Sequence, residues 1–347
     1  MVPPMVPPMV PPMVPMTAEA DPLITENLLA AILPDLPLPA RGATAARWDH
    51  LAAIGRRDLA LAKLVEPHHD ATAILSELDA PAPRPGQVWA VWAAEPPSSG
   101  SAAGLTATRA GGGWWLDGDK PFCSGATLVT HALVTAASTE GPRLLAVDVA
   151  AARDLAGTMA VHDGTWTGRG MARADTRAVT FTGVDAATVG GPGAYTDRPG
   201  FWWGAVGVAA CWAGGVWGVA ARLLATARRR PHDDLLAAHL GAVAVAVDRT
   251  RSALTIAAQQ ADSGAADSGA AELAAARRTA ESARAVVADA AEEVVSRVGR
   301  ALGPGPLAFD TEHSQRVADL QVFVRQHHAE RDLAALGTLL AAGPETW

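Results

Sequence analysis

Apolar positions along the chain follow three successive patterns. Through residues 17–83 they recur every three to four residues: Leu28, Leu29, Ile32 and Leu33, then Trp48, Leu51, Ile54 and Leu59, then a short block over about 70–78. That spacing puts them on one face of a helix. Asp21-Pro22 opens the first helix, with Asp as N-cap and Pro at the first helical position. The prolines from Pro34 to Pro39 separate it from a second helix expected over about 43–64.

Over 84–195 the chain switches to short apolar runs between Gly, Pro and Asp-Gly breaks: VWAVWAA, GWWLDGDKPF, HALVTAAS, RLLAVDV and AVTFTGV. This predicts an antiparallel sheet or barrel, with Asp117-Gly118 as a hairpin turn. Gly111-Gly112-Gly113 reads as another hairpin tip, because no helix follows to make a phosphate cradle. Over 196–347 helical periodicity returns in long blocks, about 200–229, 232–261, 271–301 and 312–342. Pro231, the duplicated ADSGAADSGA and Gly303-Pro304-Gly305-Pro306 divide them. Four long helices with short connections predict a bundle.

Two stretches stand apart. Residues 1–16 repeat Met-Val-Pro-Pro, which forbids helix and ladder pairing and predicts a disordered polyproline-like tail. It has no basic start and no unbroken apolar run, so it does not read as a signal peptide, and a start at Met16 would remove it. Residues 201–221 carry no charge over 21 positions. Eleven of these are Gly or Ala and none is Leu or Ile, which points to a helix packed among other helices rather than in a membrane.

The chain has 347 residues, 49% hydrophobic and 18% charged, with a net charge of -8. That length allows about two domains. No basic field draws it to nucleic acid or anionic lipid. Cys123 and Cys211 are too few for a disulfide framework or a cysteine zinc site, and read as two buried reduced thiols of a cytoplasmic protein. The adjacent pairs His68-His69 and His327-His328 point apart on a helix, so no metal is expected at either.

A helical domain, a β domain and a helical bundle, in that order, resemble the acyl-CoA dehydrogenases. The segment WAVWAAEPPSSG at 89–100 is similar to that family's first flavin segment. GWWLDGDKPFCSGA at 113–126 looks like its second, and DLQVFVRQHHAERDLAALG at 319–337 resembles its last two helices. The resemblance implies an α+β fold: a reduced N-terminal α domain, a middle antiparallel β domain and a C-terminal four-helix bundle. It further implies FAD, a homo-oligomer and oxidation of an acyl thioester at its α,β-carbons. Phe122 would cover one face of the isoalloxazine, and Ser124 would hydrogen-bond near its reactive end. Ala94 stands where the family has Thr, with Ser99 close enough to the pyrophosphate to substitute. Arg228 would hold the diphosphate across a subunit boundary, and Gly303 and Gly305 would approach the neighbouring subunit's adenosine.

The family's catalytic Glu is missing from both its places. His327 stands in the turn before the last helix, and no Asp or Glu lies between Asp197 and Asp233. Three readings follow. His327 or Glu330 serves as the base; or the chain is a flavin monooxygenase of the same fold, fed by a flavin-reductase or electron-transfer partner and acting on another small molecule; or it is a non-catalytic binding or assembly subunit.

Overall fold

The computed structural model describes residue 24 and residues 35–94, 104–264 and 269–342. Of the expected first helix only Ile24 is among them; it is helical and buried. The repeat at 1–16 lies outside the described residues.

Helix α1 (Thr44–Arg57) buries Trp48, Leu51, Ala52 and Gly55, the one-face spacing expected. Its N-terminus is capped from far along the chain: Asp262 accepts from the Gly42 and Thr44 backbone N–H groups and from the Thr44 hydroxyl. The chain breaks at Asp58 rather than in the 64–70 region. Asp58 is extended, and its side chain accepts from the N–H groups of Ala60 and Leu61, starting α2 (Leu59–Glu77). The expected second and third blocks therefore exchange residues, and α2 runs through Pro67 without ending. Packing along most of the helix outweighs the one lost donor.

The sheet comprises β1 (Trp89–Trp92), β2 (Thr106–Ala110), β3 (Gly113–Cys123), β4 (His131–Ala136), β5 (Arg143–Asp148), β6 (Met159–His162) and β7 (Arg177–Thr188), with the short helix α3 (Val149–Asp154) after β5. The strand order is β1-β4-β5-β7-β3-β2, with β6 also on β7. It is antiparallel except that β1 and β4 run parallel, with Trp89 opposite His131. The β2–β3 hairpin turns at Gly111-Gly112, whose φ values of 60° and 86° are those of a type I′ turn. Asp117-Gly118 is not a turn. It is an irregularity inside β3, where the register on β7 shifts. Gly118 is required there because its φ is 118° and a Cβ would sit 2.8 Å from the Gly104 carbonyl oxygen.

The helical part comprises α4 (Pro199–Arg229), α5 (Asp234–Ser263), α6 (Ala270–Leu302), α7 (Gly305–Phe309), α8 (Thr311–Phe323) and α9 (Glu330–Ala342). The expected fourth block is thus two helices, parted by the 3₁₀ turn Val324–Gln326 and by Ala329 at φ 46°. Helix α4 is long and apolar enough to cross a membrane, yet most of its apolar stretch is buried against α1, α2, α5, α6 and α8. Its glycines admit the neighbours: a Cβ on Gly214 would lie 2.6 Å from the Arg56 backbone nitrogen.

Candidate functional site

The second flavin-like segment ends β3. The register on β7 shifts between Lys120 and Cys123. Phe122 emerges 49% exposed, while Cys123 on the opposite face is fully buried. Ser124 lies two residues beyond Phe122, and its hydroxyl shares a hydrogen bond of 2.9 Å with the Thr176 hydroxyl. Two hydroxyls joined by one bond keep one O–H for another acceptor. An exposed aromatic face beside a spare donor fits a planar ring edged with carbonyl oxygens, as an isoalloxazine is.

Three elements hold this corner. The Trp92 indole donates to the Ser124 carbonyl at 3.0 Å, drawing the end of β1 to it. The Gly125 N–H donates to the Ala174 carbonyl at 2.9 Å, and Asp175 accepts from the Thr127 N–H and hydroxyl. From α2, Leu64 Cδ2 lies 3.1 Å from where a Gly125 Cβ would sit. Ala94, two residues past Trp92, is exposed. Ser99 lies outside the described residues, as do Glu95, Pro96, Ser98, Gly100 and Ser101.

The second part of the site is the turn before α9. His327 is 7% exposed, and its Nε2 has no hydrogen-bond partner among the described residues. Burial pulls its pKa down, against the pull of Asp332, so the ring is neutral at pH 7. Glu330 opens α9 on the surface and makes no ion pair among the described residues. Of the two expected bases, only His327 therefore reaches the interior. Arg284 of α6 fixes the turn: its Nη2 donates to the Gln326 carbonyl at 2.9 Å and its Nη1 to the Ala205 carbonyl at 2.9 Å. Its guanidinium stands 4.7 Å from the Trp212 ring centroid, and burial brings its pKa to about 10.

Between these two parts runs a stripe of α2 that the sequence reading did not single out as a site. Lys63 Nζ stands 5.5 Å from the centre of the Phe323 ring, which meets Trp212 edge to face. Glu66 is 6% exposed. Burial, with Asp70 adding, raises its pKa to about 8 against Lys63, Arg47 and Arg284. Burial raises the Asp70 pKa and lowers that of Lys63. The available signal was charge at one-turn spacing on an otherwise apolar helix. Nothing in the sequence says that an uncharged helix lies opposite.

The remaining expected residues lie elsewhere. Arg228 is exposed near the end of α4, Gly303 closes α6 with φ 68°, and Gly305 opens α7. Arg222 and Asp310 pair at 2.9 Å, so these three share one end of the helical part. The helix from Trp212 to Arg228 spans about 24 Å, which separates them from the His327 turn. A groove of about 1060 Å³ between α5 and α6, lined by Arg249, Ile256, Gln260 and Thr279, contains none of the expected site residues.

No family model matches the chain, and no curated protein sequence does. Solved structures do. The chain is similar to TdsC from Paenibacillus sp. A11-2 in complex with FMN and indole, with a TM-score of 0.73, 20% identity and coverage of 85% of this chain and 82% of that one. It is similar to KijD3 in complex with FMN and a dTDP-3-amino-4-keto sugar, with a TM-score of 0.72, 22% identity and coverage of 87% and 80%. It is also similar to a Tcur3481-Tcur3483 steroid ACAD variant, with a TM-score of 0.64, 20% identity and coverage of 92% and 87%. The chain has the acyl-CoA dehydrogenase-like fold.

Proposed function

We propose that this chain is a flavin-dependent oxidoreductase of the monooxygenase kind, acting on a small molecule other than a fatty acyl thioester. The observation that carries the reading is the pairing of exposed Phe122 with the Ser124–Thr176 hydroxyls, in a fold whose two usual places for a base hold no carboxylate. TdsC is described as a dibenzothiophene monooxygenase, and both it and KijD3 hold FMN.

Flavin, when bound, supplies electron transfer to or from the substrate and, once reduced, reaction with oxygen. The residues do the rest. Phe122 covers a ring face. The spare O–H of the Ser124–Thr176 pair donates to the ring edge that gains negative charge on reduction. The neutral His327 imidazole is poised to accept or return a proton at Nε2. Arg284 keeps that turn in place.

An acyl-thioester dehydrogenase is the second reading, and His327 favours it, since a buried neutral imidazole is a competent proton acceptor. FAD rather than FMN would be supported by Arg228, Gly303 and Gly305, which the family resemblance places at the dinucleotide half, across a homo-oligomer boundary. A cytoplasmic location rests on the two buried free thiols.

The test is the visible spectrum after loading with FMN or FAD and desalting. Retained absorption is expected. Anaerobic bleaching by an acyl-CoA would select the dehydrogenase reading. Oxygen incorporated from O₂ by the pre-reduced protein would select the monooxygenase. A colourless protein unable to use added reduced flavin would reject both.

A further inference from the structure

Helix α2 sets three carboxyl groups against three glycines of α4. A Cβ on Gly200 would collide with Glu77, one on Gly204 would lie 2.5 Å from Asp70 Oδ1, and one on Gly207 would lie 3.5 Å from Glu66 Oε1. Glu77 is satisfied: it pairs with Arg198 and accepts from the Gly200 N–H. Asp70 and Glu66 are held differently. Neither accepts a hydrogen bond among the described residues, and Lys63 donates none.

Three further buried atoms near them lack partners among the described residues: Trp48 Nε1, Trp212 Nε1 and His327 Nε2. Trp48 Nε1 is 3.8 Å from the Gly207 Cβ point that Glu66 also faces. Trp212 lies under Arg284, whose charge acts on both Glu66 and the His327 side. Lys63 leads from Phe323 back to Glu66. Unpartnered buried polar atoms are costly and rare. Three of them, contributed by α1, α4 and the turn before α9 beside the Glu66 carboxyl, mark an interior able to take hydrogen-bonding matter. Lys63 and Asp70 keep accessible surface, so solvent reaches the cluster.

The atoms on offer are of both kinds. Lys63 and the two indoles donate; Glu66 and Asp70 accept. An aliphatic chain would satisfy none of them and would leave Glu66 desolvated. We infer that Lys63, Glu66, Asp70, Trp48 and Trp212 form a substrate subsite for a polar group carrying both donors and acceptors, such as a hydroxylated or amino-substituted ring, and that this subsite rejects aliphatic acyl chains. The inference rests on the proposed oxidoreductase site, which it adjoins through Leu64 at Gly125 and Lys63 at Phe323.

The test uses the full chain, the double variant Lys63→Met/Glu66→Leu and the single variant Trp48→Phe. Without ligand, the double variant should melt higher than wild type by about 2 °C or more, because an apolar pair no longer leaves buried polar groups unpaired. Trp48→Phe should melt no lower than wild type. A fall in Tm in both would assign these side chains to holding the fold and overturn the inference. Octanoyl-CoA is the ligand probe, followed by calorimetry. Wild type should bind it at least tenfold more weakly than the double variant; equal or tighter binding by wild type would also overturn it. Flavin retention is measured separately on wild type. Its loss would sink the oxidoreductase reading while the melting and octanoyl-CoA results still decide the subsite.

Discussion

The Met171 backbone N–H donates to Asp319 Oδ1 at 2.6 Å, joining the β6–β7 loop to α8 across 148 residues of sequence. Met171 holds φ 59° to make this contact, and a Cβ on neighbouring Gly170 would lie 2.6 Å from Val322 Cγ2. Asp319 is 2% exposed and also takes the Gln315 side-chain amide at 2.8 Å. The loop so fixed leads directly to Asp175 and Thr176, which seat Ser124.

Asp319→Ala should therefore cost about 2–3 kcal/mol, the loss expected when buried donors lose a charged acceptor. Urea unfolding measures it. The same variant should loosen any flavin bound at Ser124, and a variant that keeps wild-type stability would show that the loop is held by other means.

The glycines of the helical part separate into two kinds. Gly214→Ala should destabilise by about 3 kcal/mol, because its Cβ would run into the backbone of α1 rather than into a movable side chain. Gly241→Ala on α5 meets nothing within 4 Å and should stabilise by about 0.5–1 kcal/mol. Thermal melts of the pair check both signs.

Glu66 gives a pH signature. Its pKa rises from 4.5 unfolded to about 8 folded. A raised folded pKa means that its contribution is fully present below about pH 4.5 and is lost as pH rises through 8. Wild type should lose stability relative to Glu66→Gln between pH 5 and 8. Parallel Tm curves for the two proteins over that range would show that Glu66 ionises normally.

His68 acts at the other end of the scale. Its Nδ1 accepts the Trp89 N–H at 3.2 Å, and burial holds its pKa at about 4, against the usual 6.5. With the folded pKa depressed, stability is present above pH 6.5 and lost as pH falls through 4. His68→Gln should have a shallower acid limb in Tm against pH, and an unchanged limb would move the acid sensitivity elsewhere.

Ser124→Ala removes one hydroxyl of the pair that seats the ring edge. Flavin affinity should fall about tenfold, equivalent to about 1.4 kcal/mol, by fluorescence titration. His327→Gln should leave that affinity unchanged and reduce turnover, since His327 lies in the turn and not at the Ser124 corner. A reversed pattern would exchange their roles.

The sequence by itself determined the order of elements, because periodicity reports which faces are apolar, and it placed the Gly111-Gly112 turn, because tight hairpin turns need positive φ. It also singled out Phe122, Ser124 and His327 through a family resemblance. It misjudged Asp117-Gly118 and the Asp58 break, where one local signal fits both a turn and a bulge, or both a helix interior and a cap. Only the tertiary structure decided what the charges of α2 face. The spacing of Lys63, Glu66 and Asp70 along their helix does not say what they face, and the α4 packed against them does. The meaning of a glycine at 204 or 207 is equally absent from its own helix. Both depend on a neighbour more than a hundred residues away in the chain, and local spacing carries no information about distant partners.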